Sequence, residues 1–143
     1  MIKKAIAILT TLGLSSGIIA QEISTFQDAQ NAVSEGKSLN ITINLPKCKS
    51  SKPDTDLDMI VNYAPDKLIN VKDKMIVASF EHFTMHHPEH LGSSMYEYLT
   101  YYILPNNTMV LKSLHLSAQT KEPTCPAVTF ECQLGESAKL TLK

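Results

Sequence analysis

Past its first twenty residues the chain changes hydrophobic period once. Phe26, Ala29 and Val33 recur at steps of three and four, the spacing that gathers apolar side chains on one face of a helix. Ser24 or Thr25 can cap this segment, Asp28 falls in the first turn where the helix dipole favours an anion, and Gly36 stops it, so a helix is predicted over residues 25–35. From Leu39 the period drops to two: Leu39, Ile41, Ile43 and Leu45 alternate with Asn40, Thr42 and Asn44 until Pro46 ends the run. That alternation is the mark of a half-buried strand.

Further strands are predicted over 57–63, 68–71, 75–83, 95–104, 108–117, 128–134 and 139–142. Lys72-Asp73-Lys74 reads as a hairpin tip, and Pro105-Asn106-Asn107 as the turn of the clearest hairpin, since Asn tolerates the positive φ of tight turns. Gly135-Glu136-Ser137 brackets a last hairpin in the same way. Connections this short favour antiparallel pairing, because parallel pairing needs long crossovers. The expected fold class is therefore α+β, with one N-terminal helix packed on a curved antiparallel sheet or small barrel of six to eight strands.

The first twenty residues, MIKKAIAILTTLGLSSGIIA, place two lysines before an apolar stretch and then small residues ending at Ala20. This is the order of a secretory signal peptide, with the apolar stretch too short for a comfortable membrane span. The expected organisation is a signal peptide over 1–20 and a single globular domain over 21–143, with a cut after Gly17 as the alternative. Such a chain is periplasmic or secreted and has no membrane span in its mature form.

Charge changes the picture only by exclusion. Of 143 residues, 13 are lysine and none is arginine, against 14 Asp and Glu. Removing Lys3 and Lys4 with the leader takes the net charge from −1 to −3. Nucleic acid is not an expected partner, because phosphate-tracking faces need clustered positive charge.

Export gives the three cysteines meaning, since disulfides persist outside the cytosol. A bridge from Cys48 to Cys125 or Cys132 would close a loop of 77 or 84 residues. Cys48–Cys132 is the favoured pairing, leaving Cys125 as a free thiol, and Cys125–Cys132 stands as the alternative.

The densest chemical feature is Glu81-His82-Phe83-Thr84-Met85-His86-His87-Pro88-Glu89-His90. Imidazole and carboxylate are zinc ligands, so His82, His86, His87 and His90 form a candidate metal set with zinc as the cofactor it would take. Pro88 and the strand-like approach oppose a helical pairing of His82 with His86, and H-E-x-x-H is absent, so no bound cofactor is expected. Asp54, Asp56 and Asp58 imitate a calcium loop, but Met59 and Pro65 occupy the positions that need Gly and Glu. No G-x-S-x-G elbow and no glycine-rich phosphate loop occur. Cys125 has no histidine near it in sequence, and His115 reads as a packed or solvent-facing strand residue between Leu114 and Leu116. Alternation puts Tyr96, Tyr98 and Tyr102 on one face of their strand, a candidate contact patch, and Tyr101 on the other.

Taken together, the leader, the helix ending in Gly, the strand running into Leu45-Pro46-Lys47-Cys48, the run Ser79-Phe80-Glu81-His82-Phe83-Thr84, the hairpin from Tyr98-Leu99-Thr100-Tyr101 to Asn107, and the late Cys132 resemble the VirK family of exported bacterial proteins. The resemblance implies association with virulence or host contact and brings no catalytic residues with it. His82 lies in the family-like run without a transferable role. The expectation is a non-enzymatic exported protein acting by surface contacts with an unknown protein or a host or envelope partner. A metal-binding protein using the histidine cluster, or a small ligand-binding or inhibitor module using the tyrosine face, are the alternatives.

Overall fold

A computed structural model describes residues 21–52, 58–65, 67–85 and 93–143. Ten strands and one α-helix occur among them: β1 (Glu22–Ile23), α1 (Phe26–Ser34), β2 (Leu39–Asn44), β3 (Lys49–Ser50), β4 (Ile60–Tyr63), β5 (Leu68–Val71), β6 (Met75–Thr84), β7 (Met95–Ile103), β8 (Thr108–Ser117), β9 (Val128–Gln133) and β10 (Ala138–Leu142). The expected helix forms with Thr25 as N-cap, its hydroxyl accepting from the Asp28 N–H, and the Asn107 side chain from the β7–β8 turn accepts from the Phe26 N–H at 2.8 Å. Asn107 itself sits at φ 61°, the left-handed region that asparagine tolerates better than most residues.

Architecture departs from expectation. The strands form two antiparallel sheets, a four-stranded one in the order β1-β10-β2-β4 and a six-stranded one in the order β3-β9-β8-β7-β6-β5. With 55% strand, 11% helix and no closed barrel among the described residues, the α+β expectation of a helix lying on one curved sheet or small barrel is overturned. Phe26, Ala29 and Ala32 of the helix instead join a core shared by both sheets, with Leu39, Ile41, Ile43 and Leu140 from the smaller sheet and Ile76, Leu99, Tyr101, Ile103, Met109 and Phe130 from the larger. The last hairpin also fails to form. Although Gly135 adopts φ 82° as a turn glycine, β9 pairs with β8 and β3, whereas β10 pairs with β2 and β1. Turn chemistry specifies a reversal of the chain, and it does not specify that both arms stay in one sheet.

The 3₁₀ turn Leu45–Lys47 carries the chain from β2 in one sheet to β3 in the other. Cys48, immediately after it, is bridged to Cys132 of β9 across 84 residues of sequence. The disulfide therefore fixes the crossover between the two sheets.

Candidate functional site

The six-stranded sheet has two chemically different faces. On the outer face, register aligns four rows across the strands: Phe83, Tyr96 and Leu116; Glu81, Tyr98 and Leu114; the polar row Ser79, Thr100 and Lys112; and Ile69, Val77, Tyr102 and Val110. The Phe83 and Tyr96 rings lie 5.4 Å apart, and Lys121 Nζ stands 3.4 Å above the Tyr96 ring. Ile69 and Phe83 are 63% and 50% exposed, values high enough for both to be available to a partner. Partial desolvation and the neighbouring Glu81, with which it hydrogen bonds, raise the Tyr98 phenol. Tyr96, Tyr98 and Tyr102 thus share one half-exposed face, as alternation predicts, and Tyr101 is fully buried on the other.

The inner face carries an unexpected polar row at the end away from the apolar core. His82 of β6, Glu97 of β7 and His115 of β8 are directly opposite one another in register. His82 Nε2 lies 3.3 Å from Glu97 Oε2, and His115 Nε2 lies 3.3 Å from Glu97 Oε1. Ser113 Oγ donates to the same Oε1 at 3.2 Å and stands 3.1 Å from His115 Nε2. Cys125 extends the row, its Sγ 3.8 Å from His115 Nδ1. This residue is held there by the segment after β8: Thr124 N–H donates to the His115 carbonyl at 3.0 Å, and Ser117 N–H to the Glu122 carbonyl at 2.9 Å.

Electrostatics follow from this arrangement. Burial alone would raise the Glu97 carboxyl, but hydrogen bonds from His115 and Ser113, and the charge that His115 and His82 carry when protonated, outweigh it, so the group lies below its ordinary value. Tyr63 of β4 faces the cluster from the other sheet. Burial, assisted by the Glu97 charge, pushes its phenol up to about 12. Burial, with Tyr63 and Glu97 nearby, raises the Tyr101 phenol further, and its hydroxyl has no hydrogen-bond partner. His82 Nδ1 is likewise buried without a partner, while its ring lies 5.7 Å from Phe80.

The Cys48–Cys132 bridge is present and Cys125 is unbridged. Of the zinc candidates, only His82 is placed; His86, His87 and His90 lie outside the described residues, as do Asp54 and Asp56. No group of three His, Cys, Asp or Glu side chains suited to a metal ion occurs among the described residues. Sequence reasoning missed the gathering of Glu97, Ser113, His115 and Cys125. The expected isolation of Cys125 from histidine is wrong in space, because the chain returns along β8 after the 118–124 turn. A signal was present: Glu97 falls in phase with buried Met95, Leu99 and Tyr101, and His115 in phase with buried Met109 and Leu111.

The fold and its contents define a class: a small two-sheet antiparallel β domain in which one disulfide ties the end of the crossover between the sheets to β9, with a partly buried polar row at one end. The VirK protein family matches this chain over residues 22–121, and the chain belongs to that family. A crystal structure of a VirK family protein from Legionella pneumophila is 30% identical and superposes with a TM-score of 0.75, covering 83% of this chain and 97% of that one. No curated protein matches the chain. The matched segment contains Cys48, His82, Glu97 and His115 and stops short of Cys125 and Cys132.

Proposed function

We propose that this VirK family protein is an exported, non-enzymatic protein that works by contact with a partner protein in host association or envelope function, using the outer face of the six-stranded sheet. Export is supported by the signal-peptide order of residues 1–20 and by the disulfide. No helix among the described residues is long and apolar enough to cross a membrane.

The observation that carries the contact reading is the set of aromatic and aliphatic rows on the outer face, where half-exposed Tyr96, Tyr98 and Tyr102 stand beside exposed Phe83 and Ile69. Among the described elements, the strongest contacts of β6, β7 and β8 are with one another and with β5 and β9, their neighbours within the sheet. Tyrosine and phenylalanine supply large contact area at small entropic cost, and they are the residues enriched in the buried centres of protein interfaces. A shallow groove of about 400 Å³ bordered by Lys67, Ile69, Val77, Ser79 and Glu81 extends the face to the β5 edge.

The test is site-specific photo-crosslinking in producing cells, with the photoreactive residue at position 98 or 102 and at position 139 in the other sheet as control. An adduct of one defined mass from positions 98 and 102 only, lost when Tyr96 is replaced by Glu, is the expected result. Equal labelling from all three positions, or none from any, overturns the assignment.

A further inference from the structure

Independently of the contact face, the geometry points to Cys125 as a reactive thiol site that exchanges with low-molecular-weight disulfides, with His115 as its base and Glu97 as the residue positioning that base. Three observations combine. Cys125 is the one cysteine of three outside the Cys48–Cys132 bridge, and it is half-buried on a segment whose neighbours Pro123, Thr124 and Pro126 are exposed, so a small molecule can reach its sulfur. His115 Nδ1 faces that sulfur at 3.8 Å, within the reach of a hydrogen bond to sulfur. His115 Nε2 faces Glu97 Oε1 on the opposite side of the ring at 3.3 Å.

The order of these contacts matters chemically. A carboxylate cannot donate, so Nε2 carries the proton of a neutral imidazole directed at Glu97, which leaves Nδ1 as a lone pair aimed at the Cys125 S–H. Nucleophile, base and orienting carboxylate then stand in the sequence found in activated-thiol sites. Glu97 is held for this role from both sides, by Ser113 and His115 on Oε1 and by His82 on Oε2. The titratable groups facing the cluster are Glu97, His82, Tyr63 and Tyr101; the two phenols are raised and stay neutral near pH 7.

The exchange balances without another reagent. Cys125 passes its proton to His115 Nδ1 and its sulfur attacks one sulfur of a disulfide R–S–S–R. The R–S–S–R bond breaks, a bond between Cys125 and one S–R half forms, and the departing thiolate takes the proton back from Nδ1. Cys125 is oxidised to a mixed disulfide, and the small disulfide is reduced to one free thiol.

The measurement is the second-order rate of mixed-disulfide formation at pH 7 with glutathione disulfide, followed by intact mass on the folded mature protein with Cys48–Cys132 closed. The reference is a synthetic peptide of residues 122–127. An inert structural thiol, half-buried, reacts more slowly than the free peptide. The proposed site reacts at least about tenfold faster than the peptide, and Glu97→Gln and His115→Asn each bring the rate down by at least about tenfold, a floor below the roughly hundredfold or more that full general-base assistance supplies. Cys125→Ser forms no adduct. A wild-type rate at or below that of the peptide overturns the proposal without recourse to any variant. So does a fast rate that Glu97→Gln, checked by circular dichroism to be folded, leaves unchanged.

Discussion

The disulfide offers the sharpest quantitative test of how the chain is anchored where it crosses from one sheet to the other. Cys48 and Cys132 are 84 residues apart, and they join the 3₁₀ crossover after β2 to the inner side of β9. In the chain-entropy description, closing a loop of that length removes about 15 cal/mol/K from the unfolded ensemble, which is about 4.5 kcal/mol at 25 °C. Domains of this size have total stabilities of roughly 5–15 kcal/mol, so the bridge accounts for a large share. The experiment is urea unfolding of the mature protein in a Cys125→Ser background, which prevents thiol shuffling, with and without reductant. Reduction leaves the amino acids unchanged, so no cavity enters the comparison. The expected loss is about 3–5 kcal/mol, with a larger denaturant dependence for the reduced chain because its unfolded state is less constrained and exposes more surface. A loss under about 1 kcal/mol would show that the pairing of β3 with β9, Lys49 opposite Glu131 and Ser50 opposite Phe130, holds the crossover without the covalent link.

Three further outcomes follow from single side chains. Tyr101→Phe removes a buried hydroxyl that has no partner and is expected to raise stability by about 1 kcal/mol in thermal or urea melts; a loss would mean that the hydroxyl is satisfied in solution. Asn107→Ala loses the hydrogen bond to the Phe26 N–H and adds left-handed strain at φ 61°, about 2 kcal/mol together; a loss under about 0.5 kcal/mol in urea melts would refute both contributions. Glu97 has a folded value below its unfolded one, so its contribution is present above about pH 4.3 and disappears as pH falls through the folded value. Urea midpoints measured from pH 7 down to pH 3 are expected to fall more steeply for wild type than for Glu97→Gln, and parallel profiles would contradict the assigned contacts.

Local structure was largely readable because its causes are local. Thr25, Asp28 and Gly36 bound the helix through capping, dipole and left-handed φ, and the observed helix, Phe26–Ser34, lies inside the predicted span. Alternation located β2, whose alternate positions are buried, and the turn signals Lys72-Asp73-Lys74 and Pro105-Asn106-Asn107 bracketed β5 to β8, all to within about a residue. Partition of strands between sheets was not readable. Both β9 and β10 alternate, and Gly135 turns the chain between them, so every short-range signal agrees with a hairpin. What separates them is long-range competition. Ala138, Leu140 and Leu142 pair with Ile43, Ile41 and Leu39 from the beginning of the domain, and periodicity carries no information about which distant strand a given edge will meet.

The same limit explains the site, and it shows where sequence still held a clue. His82, Glu97, His115 and Cys125 are separated by 15, 18 and 10 residues, spacings that match no metal or catalytic motif. Their meeting is a product of register, because β6, β7 and β8 pair so that residues 82, 97 and 115 fall on one line. A residue's phase within its strand is nevertheless local. Glu97 shares the phase of Met95, Leu99, Tyr101 and Ile103, every one of them buried, so a carboxylate is placed where a core side chain would normally stand. Burying a carboxylate is costly unless partners compensate, and here two imidazoles and a hydroxyl converge on it. A charged residue in apolar phase therefore implies polar partners at the same phase of the neighbouring strands. In this chain those residues are His82 on β6 and Ser113 with His115 on β8, and they are the groups that hold Glu97.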